Sequence, residues 1–192
     1  MFYFAVIEGV VSEGLLYKLK SMGISGEIYK LLENYLSGRF QRVLLNGQTS
    51  SWRPILAGVP QGSILGPLLF LIYINDLPNE LKSNAKLFAD DTSLYSVVKD
   101  PTVSAFELNH DLDIISKWAI QWKMSFNPDP SKQAQEVLFS HKIENAFHPP
   151  LFFNQVPVKP TNLQKHLGMH LDTKLSFKEH LKCTVQKVNK IL

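Results

Sequence analysis

The chain has 192 residues, 45% hydrophobic and 19% charged, with a net charge of +3 and a single cysteine, Cys183. These values exclude a disordered tail and an internal disulfide, and they suit a reducing compartment. Glu8 interrupts the apolar start and no basic residue precedes it, so no export signal is expected; the apolar run 64–74 is too short to cross a bilayer and contains Gly66 and Pro67. The expected setting is intracellular, nucleus or cytoplasm, without a membrane.

In chain order, residues 1–7 read as a buried strand. Residues 13–36 show helical spacing (Leu15, Leu16, Leu19, Met22, then Ile28, Leu31, Leu32, Tyr35), broken at Gly23-Ile24-Ser25-Gly26 into two helices. Residues 39–46 alternate, Gly47 supplies a turn and 52–56 returns, which predicts a hairpin. After Pro60-Gln61-Gly62, Ser63 is placed to cap a helix, and Pro67 falls in its first turn, where a missing N–H costs nothing. The apolar run ends at Asn75-Asp76-Leu77-Pro78.

Residues 86–98 read as an acidic hairpin. Residues 103–122 read as a third helix, with Phe106, Leu112, Ile115 and Trp118 facing inward. Strands are expected at 136–140 and 167–171, a hairpin at 151–158, and a helix from 177. The mixture predicts an α+β fold, a sheet layered with helices.

Charge is unevenly spread. Residues 17–53 hold six Lys/Arg against Glu27 and Glu33, residues 76–113 hold eight acids against three lysines, and residues 159–192 hold seven lysines against Asp172 and Glu179. An acidic centre between basic arms suits a metal site inside a nucleic-acid groove; solvated helix faces of differing sign are the plainer account. Within the acidic stretch, Asp90 and Asp91 are adjacent and flanked by apolar strand residues. Two like charges beside a half-buried sheet are unfavourable unless something positive sits on them. Mg²⁺ carrying substrate phosphates meets that need, because it takes one or two carboxylates. A solvated acidic turn is the plainer alternative.

His166 and His170 are expected on one strand face, but no third ligand has matching spacing, so they read as ordinary histidines. Trp118 and Trp122, one helical turn apart, read as packing residues before base-stacking ones.

The stretches Gly58-Val59-Pro60-Gln61-Gly62-Ser63-Ile64-Leu65-Gly66-Pro67-Leu68-Leu69-Phe70, Tyr73-Ile74-Asn75-Asp76-Leu77-Pro78 and Phe88-Ala89-Asp90-Asp91-Thr92 resemble the reverse transcriptases of non-LTR retrotransposons, those of jockey-like mobile elements in particular. The likeness covers nearly the whole chain. It implies a polymerase-type palm over 1–160, an antiparallel sheet packed on helices with the fingers missing, and a primer-grip region with the start of the thumb over 161–192. It implies an RNA-directed DNA polymerase adding deoxynucleotides to a primer 3′-hydroxyl. The partners would be an RNA template, a DNA primer and deoxynucleoside triphosphates, with Mg²⁺ (or Mn²⁺) as the cofactor.

By the same resemblance, Asp90 and Asp91 are the metal ligands and catalytic acids, redirected to one site by a tight turn because successive strand residues otherwise point apart. Gln61 and Gly62, with Phe88 and Ala89, would meet the nucleotide: Gly62 lets the backbone approach the forming base pair, and the Gln61 amide can hydrogen-bond template or nucleotide. Lys132 would act as a general acid towards pyrophosphate, unless it is an exposed loop lysine. Leu167 and Gly168 would form the turn that grips the primer, unless they belong to an ordinary core hairpin.

One position departs from the pattern. The family's helix beginning Glu13-Gly14-Leu15-Leu16 follows a strand of the type Asp-x-x-x-Ala-Phe-Asp, whose first Asp is the third metal ligand. Counted back without gaps, that Asp falls at Phe2 and the second at Glu8. Phe2 cannot ligate a metal, and Glu8 lies about 20 Å further along a strand rising roughly 3.3 Å per residue. The expectation is therefore an impaired polymerase. The alternative is a catalytically inactive palm remnant that at most binds nucleic acid.

Overall fold

A computed structural model describes residues 2–8 (as backbone), 10–60, 62–126, 134–141 and 147–190. The elements run β1 (Phe2–Glu8), α1 (Ser12–Ser21), α2 (Gly26–Leu36), β2 (Phe40–Gln41), β3 (Leu44–Leu45), β4 (Gln48–Thr49), β5 (Arg53–Pro54), α3 (Leu65–Ile74), β6 (Asn84–Phe88), β7 (Asp91–Tyr95) and α4 (Pro101–Gln121). They continue as β8 (Ser125–Phe126), β9 (Ala134–Glu136), β10 (Phe152–Phe153), β11 (Val156–Pro157), β12 (Lys159–Pro160), β13 (Leu163–His166), β14 (Met169–Asp172) and α5 (Lys178–Val188). This is the expected α+β class. No helix among the described residues is long and apolar enough to cross a membrane.

The chain divides into two compact units. One comprises residues 1–5, 80–116 and 126–192, the other 6–79 and 117–125.

The first unit is built on a sheet of strand order β12-β9-β1-β7-β6, with β8 pairing β1 beyond that path. β1 joins β7 antiparallel through residues 2–5, and β9 joins β1 antiparallel, while β12 lies parallel to β9. Helix α4 starts where Asp100 accepts the N–H groups of Thr102 and Val103 at 2.8 and 3.0 Å, with Pro101 as its first residue. Its buried stripe is Ala105, Leu108, Leu112, Ile115 and Ala119, an i, i+3/i+4 series. Phe106, expected inside, is instead 71% exposed: it lies one position off the stripe, about 100° round the helix. Phe126 and Phe153 pack edge to face with centroids 4.6 Å apart. Asp111, fully buried on α4, accepts the N–H groups of Lys82 and Ser83 at 3.0 and 2.7 Å and so fastens the entry to β6. His148 and Glu136 form a half-buried pair, Nδ1 to Oε1 3.0 Å; burial pushes the Glu136 carboxyl up, with His148 opposing it.

Residues 167–171, expected as a strand, supply a turn and part of β14 instead. Leu167 (φ 46°) and Gly168 (φ 85°) form the two-residue loop between β13 and β14, the type I′ geometry that hairpins favour. His166 pairs with Met169 and His170 with Lys165, so the two histidines lie on opposite faces of this hairpin and not on one. The expected strand at 136–140 begins earlier and is shorter, Ala134–Glu136.

In the second unit, α1 and α2 break at 22–25 as their spacing predicts. The hairpin of 39–56 is a ribbon of two short pairings, β2 with β5 and β3 with β4, closed at Asn46-Gly47 with both φ angles positive. Ser63 accepts the Gly66 N–H at 3.0 Å and donates to the Pro60 carbonyl at 2.7 Å, so its hydroxyl caps α3 as expected. Gly66 has a reason of its own: a Cβ there would lie 2.8 Å from the Pro60 oxygen.

The acid hairpin and the lysine box

β6 and β7 are joined by Ala89 and Asp90 alone, with Phe88 paired to Asp91. Strand β6 alternates as a half-buried strand does, with Leu87 half-buried and Phe88 64% exposed, whereas β7 is buried at three successive residues, Thr92, Ser93 and Leu94. Ala89 is held at φ 50° while Asp90 is not in the positive region. A positive φ at the first central position of such a turn ordinarily belongs to glycine. An alanine there stores about 1–2 kcal/mol of backbone strain. The turn leaves Asp90 exposed at the tip and Asp91 half-buried at the first residue of β7.

The neighbouring strand sets what faces this pair. In the register of β1 against β7, Ala5 stands opposite Asp91, and Phe2 stands opposite Leu94. Directly opposed residues share a face, so position 5 shares that of Asp91 and Phe88, whereas position 2 falls on the other. Among the described residues, no three His, Cys, Asp or Glu side chains gather as a metal cluster.

The hairpin of β13 and β14 meets the same strand: Ser93 Oγ lies 3.4 Å from His166 Nδ1, next to the Leu167-Gly168 turn. Of the residues singled out from sequence, Phe88, Ala89, Asp90, Asp91, Leu167 and Gly168 therefore all lie in the first unit. Gly62 lies in the second, at φ 79° with open space where a Cβ would project. Gln61 and Lys132 lie outside the described residues. Beyond the β13–β14 turn, Asp172 accepts four hydrogen bonds, from the N–H groups of Lys174, Ser176 and Phe177 and the Ser176 hydroxyl, at 2.9–3.0 Å. Those donors hold its carboxyl below the usual aspartate value, and the ordered turn leads into α5.

Sequence reasoning missed a charged cluster in the second unit. Lys18 on α1 is 4% exposed. Its Nζ lies over the rings of Trp122 (3.8 Å), Trp118 (4.8 Å) and Tyr73 (4.9 Å). It donates to the Tyr73 carbonyl at 2.6 Å and to Asp76 Oδ1 at 2.5 Å. Trp118 Nε1 donates to the same Asp76 oxygen at 3.1 Å, and the Tyr73 hydroxyl donates to the Trp122 carbonyl at 2.6 Å. Burial pulls the Lys18 ammonium below the ordinary lysine value, with Asp76 pulling it back up; burial pushes the Tyr73 phenol up. The two tryptophans do pack as expected, but around a cation. The available signal was a lysine at core spacing, between Leu15 and Leu19 on one side and Met22 on the other.

Comparison with known proteins places these residues in context. The family described as reverse transcriptase (RNA-dependent DNA polymerase) matches residues 9–171. The RNA-directed DNA polymerase from mobile element jockey of Drosophila melanogaster is 31% identical over 176 residues, 88% of this chain and 19% of that protein. Its counterpart in Drosophila funebris is 33% identical over 176 residues, with the same coverage. The probable RNA-directed DNA polymerase from transposon X-element of Drosophila melanogaster is 33% identical over 144 residues, 72% of this chain and 15% of that protein. The chain thus spans about a fifth or less of the length of these relatives.

Proposed function

Because the chain belongs to the reverse transcriptase family, we propose that it forms the palm of an RNA-directed DNA polymerase, with residues 161–192 as the primer-grip region and the start of the thumb. The observation that carries this reading is the acid pair on its two-residue turn, within the stretch the family matches.

Asp90 and Asp91 are hard oxygen donors brought to one end of a hairpin, a donor set that fits Mg²⁺, or Mn²⁺ in its place. When bound, the metal supplies charge neutralisation for the triphosphate and lowers the pKa of the primer hydroxyl. The chain's own groups do the positioning. Phe88 and Ala89 border the incoming nucleotide, and Gln61 and Gly62 meet it and its template base. Leu167 and Gly168 hold the primer end, and Lys132 hands a proton to the leaving pyrophosphate.

The third carboxylate is the weak point. Neither Phe2, where an ungapped count puts it, nor Ala5, which stands opposite Asp91, carries an acid. Losing even a supporting group around a metal costs roughly 10–100-fold in affinity or activity. Losing a ligand should cost more, and a factor of about 10³ corresponds to about 4 kcal/mol of barrier. That vacancy favours a second reading, an inactive palm that retains nucleic-acid binding.

Primer extension on an RNA template, titrated with Mg²⁺, decides between them. The first reading expects weak synthesis that disappears in Asp90→Asn. The second expects no synthesis and unchanged nucleic-acid affinity in that variant. Robust synthesis that survives Asp90→Asn would overturn both.

A further inference from the structure

The ribbon β2–β5 of the second unit is exposed on both sides: every residue from 40 to 54 is open to solvent. Its large apolar side chains are not tucked under. Phe40 is 59% exposed, Val43 67%, Leu44 68%, Leu45 69% and Trp52 58%. A two-stranded ribbon by itself is marginal in water, and contiguous exposed apolar surface marks a contact site. Arg39 is occupied in anchoring the base, donating through Nε to the Leu36 carbonyl and through its guanidinium to the Gly58 carbonyl. Arg42 and Arg53 stay on the surface. The Arg42 guanidinium lies 4.6 Å from the centre of the Trp52 ring.

Charge decides which occupant this surface suits. No acidic residue occurs between Glu33 and Asp76, so nothing within the ribbon neutralises Arg42 or Arg53. A protein partner would meet the leucines equally well, but an acid-free surface combining exposed aromatic rings with arginines matches a polyanion carrying flat bases. We propose that one face of the ribbon Phe40–Pro54 is a docking surface for single-stranded nucleic acid, with bases stacking on Trp52 and Phe40 and phosphates meeting Arg42; Arg53, paired with Gln41, lies on the other face. The ligand class rests on the polymerase reading; the surface itself uses none of the residues assigned to the metal or the nucleotide.

The test is anisotropy of a labelled oligouridylate of about twelve nucleotides, within the usual span for one such module, bound to the full chain between about 50 and 200 mM salt. Trp52→Ala is expected to weaken binding roughly five- to hundredfold, the loss of one stacked base, with Trp52→Phe restoring most of it. Arg42→Ala should lower the salt slope by about 0.7, whereas Arg53→Ala, on the opposite face, should leave it unchanged. Because these side chains are exposed, circular dichroism melts should be unchanged, which separates lost contacts from lost folding. Oligouridylate binding that is equal in wild type, Trp52→Ala and Arg42→Ala overturns the proposal. So does no binding by the wild type. If Leu44→Ser/Leu45→Ser dissolves a dimer while Trp52→Ala leaves oligouridylate binding intact, the ribbon is a protein interface and the proposal fails. Mg²⁺-dependent extension and its loss in Asp90→Asn are read separately, so the polymerase reading stands or falls on its own measurement.

Discussion

Lys18 and the Asp90-Asp91 pair are both charged groups set among apolar neighbours, but one is sealed in and the other held out. Lys18 has three aromatic faces, a carbonyl and a carboxylate around one ammonium. The acids sit where a strained alanine turns the chain, Asp90 exposed and Asp91 half-buried. A charge that the protein itself satisfies contributes to the fold. Two like charges placed side by side at a strained turn repel each other instead. The difference can be broken from either side.

The largest effect is expected at the sealed cation. Lys18→Ala removes the centre of the box and leaves Asp76 with the Trp118 indole, so urea unfolding should show a loss of about 3 kcal/mol, the low end for a broken buried pair because Asp76 is 37% exposed. Lys18→Met, which fills the space with an apolar chain, should lose clearly less. If Ala and Met variants both unfold at the wild-type midpoint, the box is not structural.

Next comes Asp111, the hidden fastening of the displayed pair. Asp111→Ala leaves the Lys82 and Ser83 N–H groups without their buried acceptor, at a cost of about 2 kcal/mol. Hydrogen exchange should locate the loosening at the start of β6. Ala89→Gly relieves the turn itself and should raise stability by up to about 1 kcal/mol, and an unchanged or lowered midpoint would show that the turn is not strained.

The smallest effect belongs to Asp172, whose carboxyl is held low by its donors. A depressed acid contributes fully above its unfolded value and loses that contribution as the pH falls through its lower folded value. Wild type should therefore lose protection at the Lys174, Ser176 and Phe177 amides below about pH 4, whereas Asp172→Asn should show weaker protection with no such acid step. An equal acid step in both proteins would assign it elsewhere.

Much of this was legible beforehand because it follows from short-range chemistry. The break between α1 and α2 sits in Gly23-Ile24-Ser25-Gly26, and the Asn46-Gly47 and Ala89-Asp90 turns each follow alternating residues. The acid pair's likeness to the family's motif needed only adjacency and context. What failed depended on choosing among faces. Helix α4 carries apolar residues on more than one side, so Phe106 matched the period yet fell outside the stripe that packs. At 167–171 the apolar run alone suggests a strand and only the family likeness points to a turn at Leu167-Gly168; that turn closes a hairpin and puts His166 and His170 on opposite faces. Lys18 was overlooked because a lysine reads as solvent-facing unless its aromatic partners, distant in sequence, are known to converge on it.

The lysine box also gives the protein an internal reporter. Amine-acylating reagents reach the many surface lysines at once, but an ammonium enclosed by two indoles and a phenol can be acylated only when that enclosure opens. The slow tail of acylation, assigned to Lys18 by mass spectrometry, would therefore time the breathing of α1 away from α3 without any added probe.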